Sequence, residues 1–186
     1  MVDYAERTGN QLGRIYAYRS LGLAKILNRA WHDALEVLGT ALTIGRERRL
    51  LVHEGGVLAL MAAAHLGLGD RARALMLAEE GIAASRRSGA RFWEISALLT
   101  RMRALRETQG LEATREIEAA LAEAAAWLEM SGAKSYEPFL HVERADLARL
   151  NGDDAARRRE LREAHRLFLE IDAPIRAAEI AKELGL

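Results

Sequence analysis

Apolar side chains recur along this chain at the three- and four-residue steps of an α-helix, in stretches separated by short polar or glycine turns. Over 31–45 the stripe is Trp31, Ala34, Leu35, Leu38, Ala41 and Leu42. Over 71–87 it is Ala74, Leu75, Ala78, Gly81 and Ile82, and over 91–108 it is Phe92, Ile95, Leu99, Met102 and Leu105. Over 154–171 Leu161, Ala164, Phe168 and Ile171 share one face, with the arginines on the other. Each stretch therefore predicts an amphipathic helix that buries one stripe.

The turns repeat. One marker reads Arg7-Thr8-Gly9-Asn10, Arg87-Ser88-Gly89-Ala90 and Met130-Ser131-Gly132-Ala133, with a weaker copy at Ile171-Asp172-Ala173-Pro174. A missing member of this series falls near Arg48-Arg49, where there is no glycine. A second marker lies between these: Leu27-Asn28-Arg29, Leu68-Gly69-Asp70, Gln109-Gly110-Leu111 and Asn151-Gly152-Asp153. Both series have a period of about 40 residues, the signature of a repeat architecture. Gly69, Gly110 and Gly152 suit the left-handed residue that ends a helix, and Asp70 and Asp153 stand where an N-cap oxygen is needed. The pattern predicts helix pairs at 11–27 with 31–46, 50–67 with 71–87, 91–108 with 112–130, and 135–150 with 154–171. A last helix is expected at 175–184, opened by Pro174, with Arg176, Glu179, Lys182 and Glu183 as the polar face of a terminal cap. Residues 1–10 read as the tail of a preceding repeat, which makes the chain either a piece of a longer polypeptide or one with a frayed N-terminal extension.

Composition narrows the class. Of 186 residues, 35 are alanine and 29 leucine, and only two are proline. So rich a share of strong helix formers points to an all-α fold. Twenty-seven basic residues balance 27 acidic ones, which disfavours nucleic-acid binding through bulk positive charge. Without cysteine there is neither a disulfide framework nor a thiolate metal site. No uncharged apolar run is long enough to suggest a membrane span, and the charged start lacks a secretory core. A cytoplasmic protein is the expectation.

The stretch Leu68-Gly69-Asp70-Arg71-Ala72-Arg73-Ala74 resembles the turn into the second helix of a tetratricopeptide repeat. Ala74 and Gly81 match that family's two small positions, and Ala34 and Ala41 repeat the spacing. The third and fourth repeats depart from it, with Arg115 and Arg157 near the first small position, and the period exceeds the usual length of about 34. The segments Ser131-Gly132-Ala133-Lys134-Ser135-Tyr136-Glu137-Pro138 and Leu161-Arg162-Glu163-Ala164-His165-Arg166-Leu167-Phe168 are similar to the C-terminal region of bacterial multidomain proteins. Those proteins join a class III adenylate/guanylate cyclase, an AAA-type ATPase module and a tetratricopeptide array. LuxR-type ATP-dependent regulators carry comparable arrays. Neither the cyclase metal-binding aspartates nor a nucleotide-binding loop stands in these residues.

Motifs with chemical meaning fall on repeat turns. Gly67-Leu68-Gly69-Asp70-Arg71-Ala72 fits G-x-G-x-x-A, but a dinucleotide site needs a strand before it, and 58–66 reads as helix. Gly132-Ala133-Lys134-Ser135 lacks the rest of a phosphate loop. The five histidines show no i, i+4 pair. Arg157-Arg158-Arg159 sits among Asp153, Asp154, Glu160 and Glu163, as an exposed helix face does; contact with a nucleotide or acidic partner is the other reading. Trp31 belongs to a buried stripe, whereas Trp93 and Trp127 lie beside theirs and are candidate recognition anchors.

One helix pair cannot bury its stripe alone, and stacked pairs can. The expected fold is a right-handed α-solenoid of about four tetratricopeptide-like hairpins plus the capping helix. Its concave face is lined by the first helix of each pair, where repeat register places Tyr18, Lys25, His53, Trp93, Glu107, Asp146 and Arg149. The expected function is a non-catalytic interaction or regulatory scaffold with no cofactor. The resemblance implies the C-terminal module of a larger ATP-dependent signalling protein, binding a protein, a peptide or its own upstream domains; pairing with a second copy through the N-terminal half-repeat is a further option. The alternative is a sensor domain whose groove takes a small molecule or peptide.

Overall fold

Helix boundaries follow the polar punctuation. The computed structural model describes residues 2–186, and among them it is all-helical, with no strand. Ten α-helices run in order: α1 (Val2–Thr8), α2 (Gln11–Leu27), α3 (Trp31–Glu47), α4 (Glu54–Gly67), α5 (Arg71–Ser88), α6 (Arg91–Gln109), α7 (Thr114–Ser131), α8 (Glu137–Leu150), α9 (Asp154–Glu170) and α10 (Pro174–Leu184). Short 3-10 turns, Leu51–His53, Gly110–Ala113 and Lys134–Tyr136, lead into α4, α7 and α8. These three helices consequently begin two to four residues later than the periodicity predicts.

Side-chain caps open three helices. The carboxylates of Asp70 and Asp153 accept from the backbone N–H of Arg73 at 3.1 Å and Ala156 at 2.8 Å, and Asn10 accepts from Gly13 at 3.0 Å. These bonds satisfy N–H groups that a helix start leaves orphaned. Left-handed residues occur at Gly9, Gly69, Gly89, Gly110, Gly132 and Gly152, and also at Arg29, Arg49 and Asp172. Arg49 is the member of the turn series that has no glycine, so the period is kept by the backbone even where the residue type is not.

The chain divides into two compact units, residues 1–104 and 105–186, with the boundary inside α6. Within the units, consecutive helices from α1 to α5 and from α7 to α10 pack as neighbours. In the N-terminal unit Ala34, Leu38 and Ala41 of α3 meet Val57 and Ala64 of α4. On its other side α4 sends Leu58 and Ala62 against Leu77, Ala78 and Ala84 of α5. The small positions let neighbouring helices approach closely, by backbone at Gly55 and by a leucine side chain at Gly22. A Cβ on Gly55 would lie 2.9 Å from the carbonyl oxygen of Gly81, and a Cβ on Gly22 would lie 2.5 Å from Leu38. In the C-terminal unit Ala145, Leu161, Ala164, Phe168, Ala177 and Ile180 gather α8, α9 and α10 around one core.

Two expectations about aromatic residues on buried stripes need correction. Phe92 is exposed rather than part of the buried stripe, and Glu94 is fully buried. Arg86 donates to one Glu94 carboxylate oxygen and Arg91, 3.3 Å away, to the other. Charge pairing turns that helix start inward at Glu94. Trp31 is half-buried, and a Cβ on Gly67 would collide with its indole, so the ring lies over α4 instead of inside the core.

Candidate functional site

The residues singled out by repeat register fall into two groups, one in each unit. In the N-terminal unit Tyr18 and Lys25 serve as fasteners. The Tyr18 hydroxyl donates to the Glu6 carboxylate at 2.9 Å, where Arg14 also donates at 2.8 Å. Hydrogen bonding to Arg14 and Tyr18 lowers the Glu6 pKa, and the same carboxylate raises that of Tyr18. The Lys25 ammonium holds the Asp33 carboxylate at 2.8 Å across the α2–α3 turn and lowers its pKa.

His53 and Trp93 are brought together by two side chains that register did not nominate. His53 closes the 3-10 turn before α4 with 7% of its surface exposed. Its ring stands edge-on to Tyr16 with centroids 4.7 Å apart, and burial, then the nearby Arg19 charge, lowers its pKa. Arg19 lies over the Trp93 ring at 4.1 Å and over Tyr16 at 5.2 Å, within cation–π reach. Trp93 rests on Gly56, where any Cβ would sit 2.6 Å from the indole, and Phe92 meets it edge-on at 4.8 Å. The result is a layered cluster, Tyr16–Arg19–Trp93–Phe92, floored by His53 and Gly56.

From this cluster an apolar row continues along α2. Leu12, Tyr16, Leu23 and Leu27 expose 41%, 43%, 44% and 62% of their surfaces. Their spacing of 4, 7 and 4 residues puts them on one helix face. That second stripe is legible in the sequence as a helical period that the buried positions Ile15 and Gly22 do not use.

In the C-terminal unit Asp146 and Arg149 belong to an ion-pair chain on α8. Arg106 donates to Asp146 and to the fully buried Glu143, both at 2.7 Å, and Arg149 reaches Asp146 at 3.3 Å. Glu107 is exposed on α6 and Trp127 half-buried on α7. Two clefts open in this unit. One of about 470 Å³ lies among α7, α8 and α9, with Glu118, Leu121, Leu147, Ala156 and Arg159 in its walls. The other, of about 290 Å³, is lined by Leu128, Glu129, Lys134, Glu137 and Leu140. Arg144 lines both. It makes no hydrogen bond or ion pair with any described residue, and neither its position nor its neighbours in sequence distinguish it from other helix-face arginines.

Among the described residues no helix is long and apolar enough to cross a membrane. No family model matches the chain, and no curated protein is significantly similar to it.

Proposed function

We propose that this chain is a non-catalytic interaction and regulatory module, a solenoid of tetratricopeptide type that holds a protein partner. The observation carrying this reading is the exposed row Leu12, Tyr16, Leu23 and Leu27 on α2. Scattered apolar surface residues are ordinary, but several on one face beside an arginine–aromatic stack form the kind of patch that marks a protein contact. The similarity of 131–138 and 161–168 to the C-terminal region of cyclase–ATPase proteins supports a place in an ATP-dependent signalling polypeptide, where the partner is a separate protein or the upstream domains. A photo-crosslinking residue at Leu23, compared with one at the exposed Arg158, tests the reading in cells of the source organism. A discrete adduct at position 23 that Tyr16→Glu abolishes is the expected result. Equal labelling at both positions overturns it.

The clefts at Arg144 favour a second reading in the same class, a sensor that takes a small molecule or peptide. Thermal shift against a metabolite set separates the two, because a ligand that binds only the folded chain raises its melting temperature.

A further inference from the structure

We propose that the C-terminal unit docks an extended peptide strand along α7, carrying one carboxylate between apolar side chains and a cation at each end. The proposal rests on reading the chain as a binding module, but it uses a different surface from the α2 row.

The two clefts form one series of positions along α7. The wall residues Glu118, Leu121, Ala125, Leu128 and Glu129 follow each other at helical spacing. The 11 steps from Glu118 to Glu129 span about 17 Å at 1.5 Å per residue, the length of about five residues of extended chain. A trough of that length, open to solvent, suits a strand better than a compact metabolite.

Its charges set the pattern. Some are already used: Asp153 caps α9, and Glu160 receives His141 at 2.7 Å and Arg159 at 3.6 Å. Left unpaired are Arg144 midway, Glu118 at one end and Glu129 with Glu137 at the other, where Lys134 stands exposed. A half-buried guanidinium with an open face is a ready partner for a planar carboxylate. The end acids disfavour a run of acidic residues and favour terminal cations. Leu121, Ala125, Leu128, Leu140 and Leu147 supply apolar wall between the charged points.

The test is fluorescence anisotropy of the full chain with the labelled, end-blocked peptide Lys-Leu-Asp-Leu-Lys. Replacing its aspartate by asparagine is expected to weaken binding at least tenfold, and Arg144→Gln to weaken the aspartate peptide equally. The asparagine peptide is expected to bind wild type and Arg144→Gln alike, which is the signature of direct coupling. Because Arg144 has no partner to lose, the variant keeps the wild-type melting temperature. Equal binding of the two peptides, or no binding of the aspartate peptide at millimolar concentration, overturns the proposal. In that event a position-23 adduct still sustains the module reading through the α2 row, and its absence alongside a tenfold peptide effect withdraws the α2 row as the partner surface while keeping this one.

Discussion

The α3–α4 and α7–α8 turns share a backbone and differ in charge. Each has a left-handed residue (Arg49 or Gly132), a 3-10 turn starting two residues later, and an α-helix starting with glutamate three residues after that. In the first, Arg46, three residues before the left-handed residue, clasps Glu54, five residues after it, at 2.7 Å. It also reaches Glu80 at 2.6 Å. The same offsets pair Glu6 with Arg14 and Arg86 with Glu94. In the α7–α8 turn they fall on Glu129 and Glu137, two acids that make no ion pair with each other, and a cleft that Lys134 also lines lies there. The repeat thus fixes the backbone path, while two side chains decide whether a turn is clasped or left open for a partner.

If pairing rather than residue type sets the cost, two arginines of the C-terminal unit must respond differently. Arg106→Met leaves the fully buried Glu143 without its Arg106 partner, and a loss of about 3 kcal/mol is expected in urea unfolding. Arg144→Gln is expected to leave the midpoint unchanged. A comparable loss from both would erase the distinction between clasped and open sites.

The helices after the two matched turns also differ. After Glu54 come Gly55 and Gly56, and after Glu137 come Pro138 and Phe139. Only α4 must let a neighbouring backbone approach this closely, since a Cβ on Gly55 meets the Ser85 side chain and the Gly81 carbonyl oxygen. Gly55→Ala is expected to cost about 2 kcal/mol through overpacking. Gly39→Ala in α3, where a Cβ meets nothing within 4 Å, is expected to gain about 0.5–1 kcal/mol from helix propensity. Thermal melts of the two variants check both signs.

A third substitution converts one turn into the other. Glu129→Arg restores the cation that Arg46 supplies in the α3–α4 turn and faces it to Glu137. The site is exposed, so the gain in stability is expected to stay under about 1 kcal/mol. The same change is expected to block the Lys-Leu-Asp-Leu-Lys peptide by filling the cleft with a positive side chain. Undiminished binding would show that the open turn is not part of the docking surface.

The helices were legible in the sequence because glycine and aspartate punctuate the repeat and the buried stripes have one period. Arg49 was legible only through that period, since its residue type gives no sign of a left-handed backbone. The late starts of α4, α7 and α8 were not visible, because a 3-10 turn carries the same composition as the first turn of an α-helix. Phe92 left its expected place on the buried stripe, and the buried position beside it is taken by Glu94, ion-paired with Arg86 and Arg91. Among candidate site residues, register nominated His53 and Trp93, but Arg19, which joins them, depends on how α2 meets α6. Tyr18 and Lys25 sat at register positions and proved to be spent on Glu6 and Asp33. Arg144 is distinguished by what it fails to touch, which is a property of packing.

The smallest expected effect comes from the residue just before the first glutamate of each matched turn, His53 in one and Tyr136 in the other. Histidine is the side chain that changes charge near neutrality. Burial first and the Arg19 charge second hold His53 below the ordinary imidazole value of 6.5. A lowered value in the fold means that the unfolded chain binds the proton more readily. Stability tied to neutral His53 is therefore full above about pH 6.5 and is lost as pH falls toward the lowered folded value. His53→Gln removes that proton equilibrium, so the difference in melting temperature between wild type and variant is expected to shift against the wild type from pH 7.5 to pH 5. Any change common to both belongs to other groups. A constant difference across the range would mean that protonated His53 is accommodated beside Arg19, and the cation–aromatic cluster would then be wet instead of closed.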